Sequence, residues 1–144
     1  MRRFAALLVV LSVGLAALAS DAKEDLDRLQ GTWSRASAEV NGKPTPEDEL
    51  KKTTLIIEGD HYTLRTPEGD RRGTIKLDPT KSPKQVDLIP SEGPNKGKTL
   101  AGIYELDGDT LRYCLTLTGK ERPTEFASKP GSGQGLFVNK RARR

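Results

Sequence analysis

A glycine-rich segment, Gly93–Thr99 (GPNKGKT), contains residue types that could hold a phosphate group. Phosphate-binding loops of this kind place four residues between their two glycines and lead into a helix, whose first N–H groups bind the phosphate. Here only three residues separate Gly93 from Gly97, and the residues that follow predict a strand. We therefore interpret the segment as a connecting loop.

Metal ligands are scarce in the sequence. His61 is the single histidine and Cys114 the single cysteine, whereas zinc sites take three or four ligands from His, Cys, Asp and Glu. A calcium site of the common type needs a twelve-residue ligand loop, and the sequence has none. Four aspartates stand instead in segments typical of turns: Asp60, Asp70, Asp107 and Asp109. We expect neither a bound metal nor another cofactor.

No side chain stands out as an activated nucleophile. Ser132, within Gly131-Ser132-Gly133, does not match the nucleophile-elbow pattern, and a nucleophilic serine or cysteine needs a base beside it. Cys114 is expected to be an ordinary small apolar residue. With 20 acidic residues, a catalytic carboxylate pair stays open. The sequence therefore favours a non-enzymatic protein, with an unrecognised hydrolase or isomerase as a lesser alternative.

The charge of the chain is concentrated at its two ends. The 144 residues include 24 basic and 20 acidic ones, a formal net charge of +4. Six of the basic residues are terminal: Arg2, Arg3, Lys140, Arg141, Arg143 and Arg144. Residues 20–139 therefore carry 18 basic and 20 acidic side chains. A body that is slightly acidic predicts no binding to nucleic acid, which requires a basic surface. The length suits one domain.

Residues 1–19 have the three parts of a secretory signal peptide. Arg2 and Arg3 give the positive start, residues 4–18 are apolar, and Ala17-Leu18-Ala19 resembles a cleavage site. An apolar run of 15 residues is shorter than the roughly 20 needed to span a bilayer. We expect an exported protein, periplasmic or secreted, without a membrane anchor, whose domain occupies residues 20–144.

Alternating apolar and polar residues predict an all-β domain. In 61–66, 71–78 and 110–117 every second residue is apolar or small, as in a strand with one buried face. Glycine-containing turns at 58–60, 67–70 and 107–109 indicate hairpins. We predict eight strands: 32–40, 53–58, 61–66, 71–78, 85–90, 99–106, 110–117 and 135–140.

Hairpin-linked strands of this number favour an antiparallel up-and-down barrel, because closure removes the exposed edges of the sheet. A β-sandwich is the alternative. Short helical turns are expected at 23–30 and 44–52, and in the first strand Ala36, Ala38 and Val40 should share a face. Strict alternation places Cys114 on the outer face, whereas free cysteines usually prefer the interior.

Several motifs carry a resemblance to known proteins. Leu29-Gln30-Gly31-Thr32-Trp33 resembles the G-x-W opening of lipocalins, in which a basic residue on the last strand packs on the tryptophan; Arg141 is the matching candidate. Gly102–Leu111 (GIYELDGDTL), Cys114, Arg122–Phe126 (RPTEF), Gly131–Gly133 (GSG) and the final Lys140-Arg141 together resemble an exported lipocalin-like family common in planctomycetes. The resemblance implies a barrel closed by Trp33 and Arg141, export, and no catalytic residue.

The resemblance also implies, by analogy, a small apolar ligand inside the barrel. The residues expected to line it are those on the apolar strand faces: Tyr62, Leu64, Ile75, Leu77, Tyr104, Tyr113 and Leu115. The alternative is an envelope interaction module whose barrel is filled by side chains, with loop 118–134 as the contact for a protein partner of unknown identity. That loop could equally cover the barrel wall and bury Phe126.

Overall fold

The computed structural model describes residues 21–118 and 121–142. The predicted signal peptide and the terminal Arg143 and Arg144 lie outside the described residues. Within the described ranges, no helix combines the length and the apolar character needed to cross a membrane. The described chain starts in a helix, α1, over residues 21–29, and a second short helix, α2, covers Glu47–Lys51.

The described residues contain nine strands, which make up most of the fold. They are β1 (Gly31–Val40), β2 (Lys43–Pro44), β3 (Thr54–Glu58), β4 (His61–Thr66), β5 (Gly69–Asp78), β6 (Lys84–Pro90), β7 (Leu100–Asp107), β8 (Thr110–Thr116) and β9 (Gln134–Arg141).

Eight of these strands form a closed antiparallel barrel, as predicted. From β3 to β9 each strand pairs with the next in sequence, β1 pairs with β3, and β9 returns to pair with β1. The two-residue strand β2 pairs only with the end of β1, antiparallel to it. The alternative of a β-sandwich is therefore excluded, and the observed bounds of the eight barrel strands lie within two residues of the predicted ones.

One face assignment in the first strand is wrong. Ala36 was expected to share a face with Ala38, but the register of β1 against β9 shifts between Arg35 and Ser37, leaving Ala36 without a partner. Such a bulge adds one residue to one strand and so reverses the alternation beyond it. Consequently Trp33, Arg35 and Ala38 are buried while Ala36 is exposed.

Two inward-facing glycines make room for large neighbours. Gly73 lies directly across from Tyr62 on β4, and a Cβ at Gly73 would come within 2.8 Å of the tyrosine ring. Gly102 faces Leu115 on β8 in the same way. The space that these glycines leave is therefore filled by the side chains opposite, so neither creates an empty cavity.

Candidate functional site

One end of the barrel is closed by Trp33 and Arg141, the pair that the sequence singled out. The Trp33 indole is fully buried, and its Nε1 donates to the Leu29 carbonyl at 2.9 Å. The Arg141 guanidinium lies 4.3 Å from the ring centre and donates to the carbonyls of Gln30 (2.9 Å) and Arg28 (2.7 Å). These contacts connect the end of α1, the start of β1 and the end of β9.

A buried carboxylate holds α1 to the barrel wall at the same end. Asp25 accepts hydrogen bonds from the Tyr104 hydroxyl at 2.6 Å and from Lys84 Nζ at 2.9 Å. Burial alone would raise the pKa of Asp25, but the two hydrogen bonds and the nearby positive charge of Lys84 outweigh it and leave that pKa below its ordinary value. Burial and the hydrogen bond to Asp25 raise the pKa of the Tyr104 hydroxyl, which therefore stays neutral.

The interior next to this closed end is packed. The space left there measures about 30 Å³, the scale of a single water molecule, and its lining is almost wholly apolar. Three of the predicted ligand-lining residues line this small space and no larger cavity: Ile75, Leu77 and Tyr104. The open space in this half is therefore far smaller than the roughly 300–1,000 Å³ of an ordinary small-molecule site.

The opposite half contains a cavity of about 610 Å³ that opens to solvent, here called the mouth cavity. Its apolar wall consists of Val40, Leu64, Pro90, Leu100, Leu117 and Phe137. Side chains that line both spaces separate it from the packed half: Leu55, Tyr62, Leu88, Tyr113 and Leu115.

The structure thus divides the seven predicted lining residues. Leu64 lines the mouth cavity, and Tyr62, Tyr113 and Leu115 form part of its boundary. The remaining three, Ile75, Leu77 and Tyr104, line the packed half. All seven face the interior of the barrel; contact of any of them with a ligand stays a prediction.

Arg35 also faces the mouth cavity, and the sequence analysis missed it. Its Nε donates to Asn139 Oδ1 at 2.9 Å and its Nη2 to the Tyr113 hydroxyl at 2.7 Å, while the guanidinium lies 4.5 Å from the centre of the Phe137 ring. Only 8% of Arg35 is exposed. The bulge in β1 concealed this orientation, because the predicted alternation was counted from Ala36 and Ala38.

Charges at the rim of the mouth cavity are partly neutralised. Asp70 and Glu92 line the cavity, and both form ion pairs with Arg72, at 3.0 and 3.3 Å. Arg71 lines it too, because its partner across the strands is the inward-facing Leu64. Alternation with Gly73 and Ile75 in the sequence was a signal that could have placed Arg71 here.

The cavity offers few groups suited to proton transfer. Burial, and secondarily Tyr113, raises the pKa of Tyr62 to about 12, so its hydroxyl stays protonated at neutral pH. In the described ranges, no group of three or more His, Cys, Asp and Glu side chains could hold a metal ion.

Of the other residues considered for chemistry, His61 lies away from the mouth cavity, whereas the Gly93–Thr99 segment forms part of its wall. His61 is exposed at the barrel surface, 3.4 Å from Asp60. The Gly93–Thr99 segment is a loop followed by strand β7, as predicted, and its Gly93, Pro94 and Asn95 form one wall of the mouth cavity.

The long loop before β9 covers the outside of the barrel, and residues 121–133 are here called the strap. Arg122 donates to the carbonyls of Val86 (3.0 Å) and Gly102 (2.8 Å) and pairs with Asp87 at 2.7 Å. Phe126 is half-buried, beneath the Arg112 guanidinium at 4.1 Å. The strap therefore lies along the outer wall of the barrel.

The strap also explains the position of Cys114. The residue follows inward-facing Tyr113 on β8 and so points outward, yet it is fully buried because the strap covers it. Its Sγ donates to the Ala127 carbonyl at 3.3 Å, and burial raises the pKa of the thiol. A covered thiol with a raised pKa is a poor nucleophile, which fits the packing role expected of it.

No protein-family model, curated protein or solved structure matches the chain.

Proposed function

We propose that this protein is an exported, non-enzymatic, lipocalin-like barrel that binds a small, largely apolar molecule in the mouth cavity. The observation that carries the proposal is the cavity of about 610 Å³, which falls within the 300–1,000 Å³ typical of small-molecule sites. Leu64, Leu100, Leu117 and Phe137 offer a ligand apolar surface that is otherwise open to water.

The asymmetry of the barrel supports binding over the alternative of a filled interaction module. A filled barrel would be packed at both ends, whereas here the packed half ends at Tyr62 and Tyr113 and the space beyond them is open. The strap residues that could serve a protein partner are engaged by the barrel itself, Arg122 above all.

Export is part of the proposal and rests on residues 1–19. Mass spectrometry of the protein purified from its own host tests it, because cleavage after Ala19 leaves a chain that begins at Ser20. A full-length chain recovered from the cytoplasm would contradict export.

A neutral fluorescent probe tests the binding proposal. N-phenyl-1-naphthylamine is uncharged and apolar, and its fluorescence should rise when it enters the mouth cavity. Leu64→Trp places a large side chain in the cavity and should abolish the rise. Arg65→Trp is the matched control, because it adds the same bulk at the adjacent, outward-facing position of β4.

Two results would contradict the binding proposal. One is the absence of probe binding to the folded wild-type protein. The other is equal loss of binding in Leu64→Trp and Arg65→Trp, which would place the probe outside the barrel. If the probe binds as expected, native mass spectrometry of the protein from its own host, followed by extraction, would identify a natural ligand.

A further inference from the structure

Arg35 places a buried positive charge in the mouth cavity, and among the residues that the structure describes no carboxylate lies within 4.0 Å of it. Arg35 is 8% exposed, and its hydrogen-bond partners, Asn139 and Tyr113, are neutral. Within the described ranges, the carboxylates within 4.0 Å of an arginine pair with other arginines. A buried charge without a counter-ion is unfavourable, and an anion that reaches it is bound strongly because water screens the attraction poorly.

Hydrogen-bond donors of both Arg35 and Tyr113 remain available at this position. Arg35 uses Nε and Nη2 for its protein contacts, so Nη1 is left to donate. The Tyr113 hydroxyl accepts from Arg35, which leaves its own hydrogen to donate, and both residues line the mouth cavity. An N–H and an O–H donor side by side match the two oxygens of a carboxylate.

The charges at the rim of the cavity are balanced, and Arg71 is its basic residue on the side that faces a ligand. Asp70 and Glu92 are both paired with Arg72, whose side chain points away from the cavity, so Arg71 is the arginine that the rim presents toward a ligand. An acidic ligand would thus pass a rim without net charge, where Arg71 is the positive group that faces it, and then meet the buried charge of Arg35 deeper inside. The wall between the two arginines is apolar.

Resting on the proposed function, we propose that the ligand is a carboxylate amphiphile whose head group binds Arg35 and Tyr113 while its apolar body lies against Leu64, Leu100 and Leu117. The Phe137 ring, stacked on the guanidinium, holds Arg35 in position for this contact.

Displacement of N-phenyl-1-naphthylamine by decanoate and by its methyl ester tests the inference at pH 7, below the critical micelle concentration. The two compounds share one apolar chain and differ in charge. Decanoate should bind at least tenfold more tightly than the ester. Arg35→Met should reduce decanoate binding to the level of the ester and leave the ester within about twofold of its wild-type affinity.

The matched control is Arg112→Met, which removes an arginine from the outer face of β8 next to Tyr113 and should preserve the tenfold preference. Tyr113→Phe keeps the ring, removes the hydroxyl donor, and should lower the preference severalfold. If Arg35→Met does not fold, the wild-type comparison and Tyr113→Phe still decide the question.

The outcomes separate the two proposals. Equal affinity for acid and ester in the wild type overturns the inference while leaving apolar binding intact. A preference for the acid that persists in folded Arg35→Met overturns the assignment to Arg35. Failure of probe, acid and ester alike overturns the proposed function, and the inference with it.

Discussion

The two halves of the barrel are built from the same strands but differ in how closely their interiors are packed. At the closed end, α1, Trp33 and Arg141 cover the interior, and the space left among the side chains measures about 30 Å³. At the open end the strands present leucines, Phe137 and a buried arginine to a cavity of about 610 Å³. The interior of the closed end is therefore packed, whereas at the open end more of the apolar surface faces water.

This difference indicates which half contributes more of the stability and which half we propose as the site of ligand binding. Close packing contributes stability in proportion to the apolar surface removed from water, so the closed half should contribute more of it. The mouth cavity leaves apolar surface that a ligand could still bury. Substitutions in the two halves should consequently differ in their effects on unfolding and on binding.

The largest effect is expected at the closed end, for Trp33→Ala. Removing a fully buried indole leaves a cavity and should lower the free energy of unfolding by about 3–5 kcal/mol. Urea denaturation followed by circular dichroism measures it. Val40→Ala, at the rim and 37% exposed, is the control and should change stability far less. Equal losses would contradict the division into two halves.

Truncation of one leucine in each half of the barrel compares the two halves directly. Leu111→Ala, buried near the closed end, should cost about 2–5 kcal/mol, because the surrounding packing cannot collapse around the gap. Leu64→Ala, half-buried in the mouth cavity, should cost about 1 kcal/mol and instead weaken binding of the neutral probe. Thermal and urea unfolding of both variants measure these losses. A larger loss of stability in Leu64→Ala than in Leu111→Ala would contradict the difference in packing between the two halves.

Arg141→Met tests the hydrogen bonds of the closed end. The methionine keeps apolar contact with Trp33 but loses the bonds to the carbonyls of Arg28 and Gln30. We expect a loss of about 1–3 kcal/mol in unfolding free energy, with unchanged probe affinity. Lys140→Met, at the neighbouring exposed position, is the control. A loss of binding without a loss of stability would place Arg141 in the binding site.

Asp25→Asn should produce the smallest change, visible mainly as a difference in pH dependence. The folded-state pKa of Asp25 is below its ordinary value of 3.8, so its contribution to stability is present above that value. The contribution is lost as the pH falls through the lower, folded-state pKa. Unfolding curves from pH 2 to pH 6 should thus show less acid destabilisation for Asp25→Asn than for wild type, and identical slopes would argue against the Asp25 contacts with Tyr104 and Lys84.

Most of the fold could be predicted from the sequence because its strands alternate cleanly. In β4, β5 and β8 the two-residue period fixed which side chains face inward, including Tyr62 and Leu115. The turns at 58–60 and 107–109 fixed the hairpins and hence the order of the strands. Closure of the barrel followed from the number of strands and the lack of a better way to cover both sheet edges.

The site was less predictable, for physical reasons that particular residues illustrate. A single bulge reversed the alternation of β1 and concealed Arg35. Periodicity places Ile75 and Leu64 on the same face but cannot tell which end of the barrel is packed, because that depends on α1 and Trp33. The burial of Cys114 depends on the strap, whose path carries no periodic signal.

We propose that ligands enter the open half of the barrel and that its other half is packed by side chains. Backbone NMR spectra recorded during titration with decanoate test it most directly. We predict chemical-shift changes concentrated at Arg35, Leu64, Leu117 and Phe137, with the Trp33 indole signal unmoved. Changes centred on Trp33 and α1, or spread along the strap on the outer wall, would contradict binding in the mouth cavity.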